Sequence, residues 1–113
     1  MHELSLCESI IDLVEDRARL ECITRVSRVV VEIGVAASVD PQALLFCFPI
    51  AASDTVAAGA ELVITSIDLR ARCETCQTEF APETQLVACP NCGGFACTLS
   101  AGREMRVVSF EGE

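Results

Sequence analysis

Two C-x-x-C pairs, Cys73-Glu-Thr-Cys76 and Cys89-Pro-Asn-Cys92, stand twelve residues apart. Each pair can fold into a tight knuckle that aims two sulfurs at one point. Two knuckles together offer four thiolates in a tetrahedron, a donor set that suits Zn²⁺. Four thiolates leave no open position for a catalytic water, so such a site is structural. Two competing readings attach to the same residues. One is a pair of reducible dithiols, and the other is a tetrathiolate iron site. Iron wants a shielded apolar shell, and only Phe80 and Phe95 stand near. A lobe this poor in large apolar residues has little besides a metal to hold it together.

The chain has one histidine, His2. Any Cys-His or Ser-His catalytic pairing would therefore have to involve the amino terminus. The terminus has chemistry of its own. An α-amine, the amide nitrogen between Met1 and His2, and the His2 imidazole can chelate one ion in fused rings. Glu3 can add its amide nitrogen or its carboxylate. Strong in-plane nitrogen donors suit Ni²⁺ or Cu²⁺ in tetragonal geometry. The alternative is an ordinary exposed histidine at a fraying end. Of the other cysteines, Cys7, Cys22 and Cys47 read as small apolar packing residues, and Cys97, close to the quartet, as a bystander or a reserve ligand, with the bystander reading favoured.

The elements that must carry these residues follow from periodicity. Leu4, Cys7, Ile10, Ile11, Val14 and Ala18 recur at helical spacing and predict an amphipathic helix from about Glu3 to Glu21. Arg25 to Ile33 alternates as a strand that Gly34 ends. Asp40-Pro41 reads as an N-cap and a first-turn proline, opening a helix from Gln42 to about Phe48. That helix is apolar nearly all round, which predicts burial, and Pro49 should end or kink it. Glu61 to Arg70 reads as one strand with a bulge near Thr65-Ser66, and Met105 to Phe110 as the last strand.

A strand, a crossover helix and a second strand predict a parallel pair, with the last strand returning antiparallel. The expected class is α+β: a small mixed three-stranded sheet with two helices, plus an inserted zinc-ribbon lobe. The expected division places residues 1–70 and 103–113 in the main body and 71–102 in the cysteine lobe.

Composition narrows the partners. Eight Lys+Arg against seventeen Asp+Glu leave a net charge of −9, which repels phosphate backbones and argues against nucleic acid. The longest apolar run, Ala43 to Ala52, contains Pro49 and is too short to span a bilayer. Met1-His2-Glu3 lacks the basic start of a secretory signal. Paired C-x-x-C motifs in such a chain favour a metal over a disulfide framework, and the expected location is the cytoplasm. Neither C-x-x-C opens a helix, so neither has the low-pKa setting of a redox enzyme. A zinc-ribbon adaptor that docks on another protein stays open as a second reading. Monomer and homodimer both fit.

Taken together, Met1-His2-Glu3-Leu4-Ser5, Val31-Glu32-Ile33-Gly34, the quartet at 73, 76, 89 and 92, and Gly102-Arg103-Glu104-Met105 resemble the HypA/HybF family over essentially the whole chain. The resemblance implies a nickel metallochaperone with no turnover of its own. It implies nickel binding at Met1, His2 and Glu3, and structural zinc on Cys73, Cys76, Cys89 and Cys92. It implies work with the GTPase HypB on the large-subunit precursor of [NiFe]-hydrogenase, and in some organisms on urease. The fold it implies is a mixed α/β nickel domain plus a zinc ribbon. Two features depart from the family pattern: Pro49 within the second helix, and the lack of histidines beside the zinc cysteines.

Overall fold

A computed structural model describes residues 2–85 and 87–113. The order is α1 (Glu3–Leu20), β1 (Val26–Gly34), α2 (Pro41–Ala52), β2 (Glu61–Ile67), β3 (Arg70–Cys73), β4 (Glu79–Phe80), β5 (Cys97–Ala101) and β6 (Met105–Gly112). The chain divides into two compact units. The first holds Met1–Glu32, Val39–Thr65 and Arg106–Glu113, and the second holds Ile33–Ser38 and Ser66–Met105. The class is α+β, as the periodicities predict.

In the first unit, α1 buries Cys7, Ile10, Ile11, Val14 and Ala18, the face its spacing predicts. Its end is a left-handed cap. Cys22 adopts φ 57°, and the Ile23 N–H reaches back to the Ala18 carbonyl at 2.8 Å. That position usually belongs to glycine. Cys22 is therefore exposed and does not pack as an apolar residue, whereas Cys7 is buried.

Two contacts fix how α1 and α2 lie. The Asp40 N–H donates to the Glu3 carboxylate at 3.3 Å, and the Cys7 thiol donates to the Leu44 carbonyl at 3.5 Å. Both pairs are 37 residues apart, so the helices advance side by side in the same direction. Leu44, Phe48 and Ala52 are the buried residues of α2.

Two expectations for α2 need correction. The helix does not stop at Pro49 but continues to Ala52. Proline costs the Leu45 carbonyl its helical donor. The burial of Phe48 and Ala52 on either side of it outweighs that loss. Nor is α2 buried all round: Leu45, Phe46 and Ile50 are exposed. The absence of charge from its outer face had hidden that face.

β1 is the central strand of a sheet ordered β2-β1-β6. Arg25 and Glu113 exchange backbone hydrogen bonds at 3.1 and 2.9 Å, while the Gly34 N–H donates to Glu104. Partners thus run in opposite senses, and β6 is antiparallel to β1. On the other side Arg28 meets Glu61, and the Val35 N–H meets the Ile67 carbonyl. There partners advance together, the parallel sense expected of a helix crossover. Val26, Val29, Val31 and Ile33 of β1 are buried.

The second unit has a sheet ordered β4-β3-β5, antiparallel throughout. Glu61 to Arg70 is thus not one bulged strand. β2 stops at Ile67, and Arg70 opens β3 in a different sheet. The change of phase near Ser66 marks the approach of this break, after which Leu69 is buried.

Both glycines of the family-like motifs have a packing reason. A Cβ on Gly34 would lie 2.1 Å from the Gly102 backbone. A Cβ on Gly102, at φ +116°, would lie 2.6 Å from Leu69. Between them the Ala36 N–H donates to the Gly102 carbonyl at 2.7 Å.

Candidate metal centres

The cysteine cluster is built from two knuckles with the same backbone pattern. In the first, the Gln77 N–H donates to the Cys73 carbonyl at 2.9 Å, and the Cys73 N–H to Thr78 at 2.9 Å. In the second, the Gly93 N–H donates to the Cys89 carbonyl at 2.9 Å, and the Cys89 N–H to Gly94 at 2.8 Å. Gln77 and Gly93 hold equivalent left-handed positions, with φ 65° and 74°. Gly93 adopts this conformation without cost, and Gln77 adopts it because the knuckle demands it. The first knuckle hangs from the end of β3, the second from the loop that leads to β5.

The result brings together all four cysteines that the spacing singles out. Their sulfurs lie within 4.8 Å of one another. Cys73 and Cys92 are 3.6 Å apart, and Cys76 and Cys89 are 3.5 Å apart. A tetrahedron with metal–sulfur bonds of about 2.3 Å has edges of roughly 3.8 Å. The cluster therefore fits a single tetrahedral ion. All eight cysteines of the chain are free thiols.

Two groups that sequence reasoning passed over tune the cluster. The Thr78 hydroxyl lies 3.1 Å from Cys76, and the Asn91 amide donates to the same sulfur at 3.6 Å. Together they bring the Cys76 thiol down to about 5, the Thr78 hydroxyl acting most strongly. Cys73 is also lowered, first by the Cys76 N–H. Against the Gly94 N–H, which works to lower it, Cys92 is pushed up to about 12 by the Cys73 sulfur and by burial. Burial, then the charge of Cys73, raises Cys97. Four thiolates in one place repel, and a dication removes that conflict. Their only mark in the sequence is position, a polar residue inside or just after a knuckle, which does not single out a sulfur as the partner.

The amino-terminal candidates lie in the first unit. His2 is exposed and occupies the N-cap position of α1, and its carbonyl accepts from Leu6 at 2.7 Å. Its Nε2 lies 3.6 Å from the Glu3 carboxylate. The Asp40 N–H, the strongest influence, holds the Glu3 carboxyl below its ordinary range, so Glu3 is ionised beside the imidazole. Asp40 has two separate tasks. Its side chain caps α2 by accepting from the Gln42 N–H at 3.0 Å, and its backbone holds Glu3. Met1, the third candidate, lies outside the described residues.

No helix among the described residues is long and apolar enough to cross a membrane. Similarity to known proteins spans the whole chain. The family model described as hydrogenase/urease nickel incorporation, metallochaperone, HypA, matches residues 1–112. The hydrogenase maturation factor HybF of Morganella morganii is 43% identical over 113 residues, covering 100% of both chains. The hydrogenase maturation factor HypA 2 of Bradyrhizobium diazoefficiens is 40% identical, with 98% of each chain covered. The solution structure of the nickel metallochaperone HypA from Helicobacter pylori matches with a TM-score of 0.71 at 27% identity, over 99% of this chain and 97% of that one. A second solution structure of a HypA protein matches with a TM-score of 0.78 at 29% identity, over 100% and 97%. The chain therefore belongs to the HypA/HybF family of hydrogenase maturation factors, nickel metallochaperones rather than enzymes.

Proposed function

We propose that this chain carries Ni²⁺ on Met1, His2 and Glu3 and delivers it during hydrogenase maturation, while zinc on Cys73, Cys76, Cys89 and Cys92 holds the second unit in shape. One observation carries the nickel reading. The only histidine of the chain stands exposed at the start of α1, with an ionised carboxylate 3.6 Å from its Nε2. That leaves Nδ1, the ring nitrogen nearer the backbone, to close a chelate with the residue's own amide. The Met1 α-amine would close the adjoining ring. For the cysteine site, zinc is favoured over iron by exposure: Cys92 and Phe95 are both exposed, so the cluster lacks a sealed apolar shell.

The family likeness extends the proposal to partners. The nickel would be passed, with the GTPase HypB, to the large-subunit precursor of [NiFe]-hydrogenase in the cytoplasm, with urease as another possible client. Retention of that GTPase from a hydrogenase-producing extract supports this step, and its absence counts against it.

Acid separates the two metals. Amine and imidazole nitrogens bind a metal only in their deprotonated forms, so protons compete with nickel there. Nickel affinity should fall on mild acidification, while the four thiolates, acting together, keep zinc. Titrating both metals on one sample tests this. Simultaneous loss would contradict two independent sites, and zinc without nickel at any pH would favour a docking adaptor.

A further inference from the structure

Cys97 does not stand alone. It is the fifth thiol around the cysteine cluster, and β5 places it directly opposite Cys73 in β3. Directly opposed residues share a face of the sheet, with Cβ atoms about 4.5–5.5 Å apart. The register is pinned on one side by the Glu74 N–H bonded to Ala96 at 2.8 Å, and on the other by Arg72 opposite Thr98. The Cys97 thiol is half-buried, makes a long and weak contact to the Gly94 carbonyl at 3.8 Å, and has the Cys73 thiol as a neighbour. Gly94 belongs to the second knuckle, so the thiol is turned toward the cluster. It is not one of the four sulfurs that lie within 4.8 Å of one another.

We propose that Cys97 is a spare ligand for the zinc site, able to take the place of Cys73. This rests on the zinc reading above. The exchange conserves charge and protons. Cys97 gives its proton to water and its thiolate bonds zinc as the Cys73–zinc bond breaks. The freed Cys73 sulfur then takes a proton from water. The other three ligands stay where the knuckles hold them. A site with such a spare can hand its metal on through a bonded intermediate arrangement instead of first dropping a ligand. It also tolerates damage at Cys73 that a site limited to four cysteines would not.

The test uses the full chain loaded with zinc, and with cobalt as a spectroscopic substitute. Cys73→Ala should keep one zinc per chain and the cobalt spectrum of four sulfur ligands. Cys73→Ala combined with Cys97→Ala should show three sulfurs and weaker zinc. Cys76→Ala, which Cys97 does not face, should show three sulfurs even with Cys97 present. Identical three-sulfur spectra for the Cys73 single and double variants would overturn the proposal. If Cys73→Ala does not fold, Cys97→Ala alone decides. It should retain one zinc yet transfer it to a competing chelator severalfold more slowly than wild type. An unchanged transfer rate would overturn the proposal. A wild-type chain that holds no zinc would overturn the zinc reading and this one with it.

Discussion

Nickel affinity is expected to fall by at least about 100-fold when His2 becomes alanine, with zinc content and fold unchanged. Loss of partners that only support a metal ligand typically costs about 10–100-fold, and loss of a ligand itself should cost no less. His2 is the only imidazole in the chain, so no neighbour can replace it. Its side chain is exposed and makes no capping bond to α1, so its removal disturbs no packing. A few residues added before Met1 should do similar harm by a different route. The extension turns the α-amine into an amide, which binds only after giving up its proton, and the fused chelate is reduced to a lone imidazole. Nickel titration by calorimetry checks both variants. Equal affinity in all three proteins would move the site elsewhere and make the cysteines the leading candidates.

Changing Cys89 to alanine should weaken zinc binding sharply and loosen the second unit, while the first keeps its helices. Structural zinc in small domains contributes about 10–16 kcal/mol, so one ligand in four accounts for roughly 2.5–4 kcal/mol. That is a large share of the stability of any small unit. The second unit has little else to draw on. Among the described residues its buried apolar ones are Ile33, Leu69 and Ala71, beside the ligands Cys73 and Cys89 themselves. Cys89 also accepts from the N–H groups of Asn91 and Cys92, both at 3.4 Å, which shape the second knuckle. The first unit has its own core in Ile10, Ile11, Val14, Val29, Leu44 and Phe48. Circular dichroism should therefore show retained helix, while amide exchange in residues 66–105 becomes fast. Full protection there without zinc would show that the metal is not structural.

What was legible in the sequence follows from where the determining interactions lie. The cysteine quartet could be read because its spacing is itself the geometry of a knuckle. Helix α1 could be read because it buries one continuous face, and strand β1 because Val29, Val31 and Ile33 are buried in alternation. The β4-β3-β5 sheet could not. Its strands are two to five residues long, too short for a period to show, and hydrogen bonds between distant segments define them. The run of α2 past Pro49 was hidden for a related reason. Local sequence records the lost donor but not the packing of Phe48 and Ala52 that offsets it. Cys22 misled because an exposed left-handed cap depends on the whole turn, not on the residue that occupies it. Thr78 and Asn91 were overlooked because nothing about a lone threonine or asparagine announces a sulfur as its partner.

The central claim is that nickel and zinc occupy separate sites, one at the amino terminus and one on the cysteine quartet. The most direct test is to count both metals per chain on nickel-loaded protein whose first residue is Met1, and on the same protein carrying an amino-terminal extension. The account predicts one zinc in both forms and one nickel in the first form only. One nickel retained on the extended form would contradict it.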